Sequence, residues 1–186
     1  MTKKQLYTIC HANGIPPLIY NWSFTKDLED GWLKRKLTPV FDDIDSFIRG
    51  RNVWYIDLTD SVLGSRIGAT FFKAAIFSKW SNVRYTTIEN LAGYQIEGWY
   101  ENGDVYTNIL HADLVVIDRV MHKMEDLQRK VWYRFVEDRL TLNKSTIFVG
   151  LVRFGKEGMF DERGLDLFTK VPSKILTDNG TQDVRK

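Results

Sequence analysis

Cysteine is almost missing from this chain: Cys10 is the only one in 186 residues, so no internal disulfide can form and a reducing, cytoplasmic compartment is expected. Histidine is nearly as scarce, three in all, which leaves no cluster at metal-ligand spacing and no metal centre to expect. Proline occurs four times and no low-complexity run appears, which excludes a disordered chain. No window approaches the ~20 apolar residues of a membrane span, and the polar, basic stretch from Met1 to Leu6 has no apolar segment behind it, so neither a span nor a secretory leader is expected. Charge of one sign is also lacking. With 26 Lys and Arg against 24 Asp and Glu the formal charge is +2 and the pI ≈ 8.6, too mild for a dedicated nucleic-acid binder, whose pI usually exceeds ~9. No period of roughly 20 to 50 residues recurs, which excludes solenoids and propellers.

What the chain does have is 44% hydrophobic and 13% aromatic residues, enough to bury one sizeable core, and a single domain over residues 1–186 is expected. Five short runs rich in Val, Ile and Tyr read as strands: Val53 to Leu58, Val83 to Thr87, Asp113 to Asp118, Thr146 to Leu151 and Lys174 to Thr177. Between them, Thr70 to Trp80 and Val120 to Leu142 have helical spacing; in the second, Val120, Met124, Leu127, Val131 and Phe135 recur at steps of three and four. Leu33 to Arg49 reads as a packing helix interrupted at Pro39. Alternating strands and helices imply an α/β fold with a parallel sheet, and the continuous runs Trp54-Tyr-Ile-Asp-Leu and Leu114-Val-Val-Ile imply helices on both of its faces.

Four landmarks in one order carry a resemblance: Gly14-Ile-Pro with Trp22 and Phe24 following; Asp57 through Ile76, a strand, a glycine-bearing stretch and an apolar helix; Ala112-Asp-Leu-Val-Val-Ile-Asp118-Arg119; and Asn143 through Leu151. Together they resemble the helicase-loader and transposase-helper group of AAA+ ATPases, over about Gly14 to Arg185. The resemblance implies an AAA+-like P-loop fold of five parallel strands flanked by helices, with the first strand between the fourth and the fifth and the lid domain absent or minimal. Only thirteen residues precede Gly14, so no separate N-terminal helicase-docking domain is expected.

The motifs are degenerate. Gly64-Ser65-Arg66-Ile67-Gly68-Ala69-Thr70 stands where a Walker A phosphate loop belongs, with Ala69 in place of the lysine. A strand-to-helix turn capped by Thr70 explains the same residues. Asp118 keeps the first Walker B carboxylate, but cationic Arg119 replaces the acid that would orient water. Gly150 and Leu151 replace the polar sensor, Leu167 stands in the place of the finger arginine, and Arg185 is the one positive candidate retained. Losing the loop lysine and the sensor removes roughly 3 to 5 kcal/mol of nucleotide affinity, about two to four orders of magnitude. Arg66 is expected to fold back as a counter-charge to Asp118 or Asp60. No catalytic residue and no cofactor is therefore expected, with ATP or ADP and magnesium bound only weakly.

The expected function is that of a pseudo-ATPase of DNA replication, of phage or mobile-element type, acting as adaptor or inhibitor on a replicative helicase, a helicase loader or an initiator, and able to join homo- or hetero-oligomers. Two other readings stay open: a working ATP-dependent loader that uses Thr70 and Asp118, and a single-stranded-DNA-binding module that uses Lys123, Arg129, Lys130 and Arg134. The stretch from Ile88 to Leu110 offers Tyr94, Trp99 and Tyr100 for base stacking, but its charges are Glu89, Glu97, Glu101 and Asp104, which repel phosphate.

Overall fold

Five helices come before the first strand: α1 (Lys3–Ala12), α2 (Pro17–Tyr20), α3 (Phe24–Asp27), α4 (Trp32–Asp42) and α5 (Ile44–Arg49). They are followed by β1 (Val53–Asp57), α6 (Ser61–Phe77), β2 (Val83–Thr87), α7 (Ile88–Glu97), α8 (Gly103–Leu110), β3 (Leu114–Val120), α9 (Asp126–Thr141), β4 (Ser145–Gly150), β5 (Ser173–Thr177) and β6 (Gly180–Asp183). This is a computed structural model, which describes residues 1–97, 103–120, 126–150, 173–178 and 180–183. No helix among them is long and apolar enough to cross a membrane.

The sheet order is β2-β3-β4-β1-β5-β6. The first five strands run parallel, with Trp54 of β1 level with Ile147 of β4 on one side and Lys174 of β5 on the other. The expected position of the first strand is thus observed. The sixth strand, which pairs antiparallel with β5, is absent from the sequence reading.

Because side chains alternate across a strand, each strand feeds two cores. Trp54, Ile56, Leu114, Val116, Ile147 and Val149 face α6 and the N-terminal helices, where Trp54 stands edge-on to both Phe47 and Phe71. Val53, Tyr55, Val115, Ile117 and Phe148 face α7, α8 and α9. The result is a three-layer α/β/α sandwich, as the continuous apolar strands imply.

The segment before β1 is tied to α6 by Lys73, whose ammonium donates to the carbonyls of Trp22 at 2.8 Å and Tyr20 at 3.3 Å. Burial pushes the Lys73 pKa below its ordinary value. The break expected at Pro39 falls instead at Asp43, which leaves helical geometry and caps α5 by accepting from Ser46 N–H at 3.0 Å; Pro39 lies inside α4.

Two boundaries overturn the sequence reading. The helix expected from Thr70 begins at Ser61, because Asp60 caps it there. Val120, expected to open the second helix, lies instead in β3, which runs on to it through a bulge in which Arg119 takes φ 57°; α9 is described from Asp126. Val131 and Phe135 are buried as the periodicity requires, while Val120 is buried as a strand residue.

Arg139 of α9 is a buried cation. Its guanidinium donates to Thr146 Oγ1 at 3.1 Å, to the Leu110 carbonyl at 3.0 Å, and to the carbonyls of Ala112 and Ser145. It joins the entrances of β3 and β4 to α9. Burial lowers its pKa to about 9, which leaves it charged at neutral pH.

Candidate functional site

In a parallel α/β sheet the ligand site belongs at the carboxyl ends of the central strands, where loops and helix N-termini converge. Here that place is formed by the ends of β1, β3 and β4 and the start of α6. A phosphate loop would fill it with free backbone N–H groups on an open, glycine-rich turn. The expected loop does not exist: Gly64, Ser65, Arg66, Ile67, Gly68, Ala69 and Thr70 are all helical, well inside α6. Only Leu58, Thr59 and Asp60 separate β1 from the helix.

The reason lies at both ends of this segment. At its start, Asp60 Oδ1 accepts from the N–H groups of Val62 at 2.9 Å and Leu63 at 3.0 Å, and the Asp60 carbonyl accepts from Gly64 N–H at 3.0 Å. A negative carboxylate at a helix N-terminus is favoured by the local dipole as well as by these bonds. Further along, the glycines serve packing rather than loop freedom. A Cβ on Gly68 would lie 2.7 Å from Val149 Cγ2 and 3.1 Å from Val116 Cγ1, so their absence lets α6 settle directly on β3 and β4. Ala69 is fully buried, and Thr70, far from capping anything, turns its hydroxyl onto the Arg66 carbonyl at 2.8 Å.

A second carboxylate arrives from the end of the neighbouring strand β5. Asp178, in the turn between β5 and β6, accepts from Thr59 N–H at 2.9 Å and from the Thr59 hydroxyl at 2.5 Å. The amides of Thr59, Val62, Leu63 and Gly64 thus already have partners within the chain. A phosphate entering here would find those donors engaged and two carboxylates beside them.

Asp118 is likewise engaged. It is only 4% exposed; Ser65 Oγ donates to its Oδ1 at 2.8 Å, as does Arg119 N–H at 2.8 Å, and Tyr85 OH donates to its Oδ2 at 2.5 Å. Burial first, then the neighbouring Asp118 charge, raise the Tyr85 pKa well above its ordinary value, which keeps the hydroxyl a donor. Asp118 ties α6 to the two outermost strands on this side of the sheet. The Arg119 side chain points to solvent.

The sensor position is closed by backbone. Gly150 has φ 152°, and a Cβ there would lie 1.9 Å from the Val120 carbonyl oxygen. No side chain of any kind can project from this site while β3 runs to Val120.

The remaining expected residues divide. Arg66 is not a counter-charge to Asp118 or Asp60: its guanidinium lies 5.9 Å from the centre of the Trp22 ring, on the side of α6 that faces α2, while Ser65 is the residue turned toward Asp118. Leu151, Leu167, Arg185 and Lys123 lie outside the described residues, as do Trp99 and Tyr100. Arg129, Lys130 and Arg134 are exposed on α9, with Asp126 and Asp138 of the same helix 3.9 Å from Arg129 and Arg134 respectively. Among the described residues no group of His, Cys, Asp or Glu is arranged to hold a metal ion.

Thr59, Tyr85, Asp178 and Arg139 have roles that sequence reasoning missed. For Asp60 the signal was present, a capping residue directly before an apolar helical run, and Asn179-Gly180 between two short β-prone stretches is a hairpin signal. Nothing local marks Tyr85 as a partner of Asp118.

No protein-family model and no curated protein sequence matches the chain. Solved structures resemble it in three dimensions, among them the following two. A crystal structure of the DnaC helicase loader superposes with a TM-score of 0.65 at 13% identity, covering 87% of this chain and 99% of that one. A crystal structure of a DNA replication initiation factor also gives a TM-score of 0.65, at 12% identity, covering 83% of this chain but 49% of that one, so this chain spans about half of its length. With the strand order and the helix-covered parallel sheet, these likenesses show that the chain shares the P-loop-type α/β architecture of those two structures.

Proposed function

We propose that this chain is a non-catalytic AAA+-like protein of DNA replication that works through protein contacts, as an adaptor or inhibitor acting on a replicative helicase, a helicase loader or an initiator. One observation supports the non-catalytic reading above all others. The backbone amides at the β1–α6 turn are capped by the chain's own carboxylates, Asp60 and Asp178, where a nucleotide-binding relative would leave them for phosphate. The engaged Asp118 and the closed Gly150 position agree with it. The replication context comes from the fold neighbours, one a helicase loader and the other a replication initiation factor. A subunit that keeps this architecture can dock beside such proteins without supplying chemistry of its own.

The test has two parts. Calorimetry with Mg-ATP and Mg-ADP is expected to show no binding at micromolar nucleotide, and pull-downs with purified helicase, loader and initiator are expected to capture at least one of them. Micromolar Mg-ATP binding abolished by Asp118→Ala would overturn the non-catalytic reading, and a chain that captures none of the three proteins would overturn the adaptor reading.

A further inference from the structure

Among the described residues β2 is the outermost strand on its side of the sheet and pairs only with β3. In a parallel ladder a strand uses alternate peptide groups toward one neighbour, so the intervening N–H and C=O groups of an edge strand point outward without a strand to receive them. Beside this edge lies a cleft of ≈ 570 Å³ whose floor is Arg84, Tyr85 and Thr86 of β2 and whose walls come from the end of α1 and from α7 and α8. We propose that this cleft docks an extended peptide segment of a partner protein, carrying one acidic side chain, which adds to the sheet along β2.

Three observations select that occupant. The walls present side-chain carboxamides, Asn13, Asn90 and Asn108, groups that pair with peptide N–H and C=O alike; the Asn90 and Asn108 carboxamides are exposed and make no hydrogen bond among the described residues, although Asn90 N–H donates to Thr87 Oγ1 at 3.2 Å. The Arg84 guanidinium donates to the Val83 carbonyl at 3.0 Å, a bond made onto its own strand. An incoming carboxylate would draw Arg84 to itself by a stronger, charge-assisted bond and release that carbonyl to the ladder. Finally, the lining contains Arg84 and no carboxylate, while Glu89 and Asp104 lie exposed on the flanking helices. That arrangement suits a single acid in an otherwise uncharged segment and disfavours a polyanion such as single-stranded DNA. A five-residue edge accommodates about 17 Å of extended chain, the length of an ordinary strand. Main-chain bonds would then supply affinity and the carboxamides and Arg84 the selectivity.

This goes beyond the non-catalytic reading and does not depend on it, since no helicase, loader or nucleotide enters the test. The probe is a displayed library of random linear peptides selected against the whole chain, with the enriched peptides then synthesised and their footprint read from amide exchange by NMR. Enriched peptides are expected to carry one acidic residue among β-branched ones and to protect amides within Arg84 to Thr86. N-methylation at alternate peptide nitrogens should weaken them ~10-fold or more, since each methyl group removes a ladder bond. The exposed pair Asn90→Ala and Asn108→Ala should weaken them several-fold while leaving the melting temperature unchanged. Failure to enrich any peptide, a footprint away from β2, indifference to N-methylation, or occupation of the cleft by an oligothymidylate with steep salt dependence would each overturn the proposal.

Discussion

Restoring the lysine that a Walker A motif requires is the obvious experiment on this chain, and the structure predicts that Ala69→Lys fails in a particular way. Ala69 lies nine positions beyond the Asp60 cap, about 13 Å along the helix at 1.5 Å per residue, so a lysine there is nowhere near the helix N-terminus. It is also fully buried against the sheet. A buried lysine with no anionic partner releases its proton, and documented cases fall to a pKa near 5 or 6. Deprotonation at pH 7 of a group whose free pKa is ~10.4 costs about 4.6 kcal/mol at 1.36 kcal/mol per pH unit. Overpacking of the helix against the sheet adds roughly 1 to 3 kcal/mol. The sum, about 6 kcal/mol or more, is comparable with the whole stability of many domains. At roughly 2 to 4 °C per kcal/mol for a chain of this size, the melting temperature should fall by more than ~10 °C, if the variant folds at all. Differential scanning calorimetry and Mg-ATP titration read both consequences. An Ala69→Lys protein that melts with the wild type and binds Mg-ATP at micromolar concentration would refute the reasoning, because it would require Gly64 to Thr70 to form a loop.

Two further predictions concern groups that hold the same region. Gly150→Ser, which would restore a polar sensor side chain in sequence, should lower the melting temperature by several degrees and expose the end of β3 to amide exchange, since its Cβ meets the Val120 carbonyl and positive-φ strain alone costs ~1 to 3 kcal/mol; unchanged protection at Val120 would count against it. Arg139→Met keeps the apolar stem but orphans the carbonyls of Leu110, Ala112 and Ser145, so urea denaturation should show a loss of about 3 kcal/mol or more, and a loss below ~1 kcal/mol would mean that water replaces the guanidinium.

The alternation of strands and helices was legible in the sequence, and so, through the resemblance, was the position of β1 between β4 and β5. They follow from short apolar runs whose two faces must both be covered, and from landmarks whose order along the chain survives the loss of their side chains. The altered residues at 69, 119 and 150 were legible too. Their consequences were not. Gly64 and Gly68 read as a loop because glycine is the residue of loops, yet they lie in a helix because Asp60 caps it early and because Val116 and Val149 leave no room for a larger residue. Asp118 reads as a Walker B carboxylate at a strand end, with Arg66 its expected counter-charge; only folding brings Ser65 and Tyr85, from distant parts of the chain, onto its two oxygens. Asp178 joins Thr59 across 119 positions of sequence. Local propensity and periodicity determine which segments become strands and helices, but which donors a carboxylate meets is decided by contacts between segments, and no spacing rule carries that information.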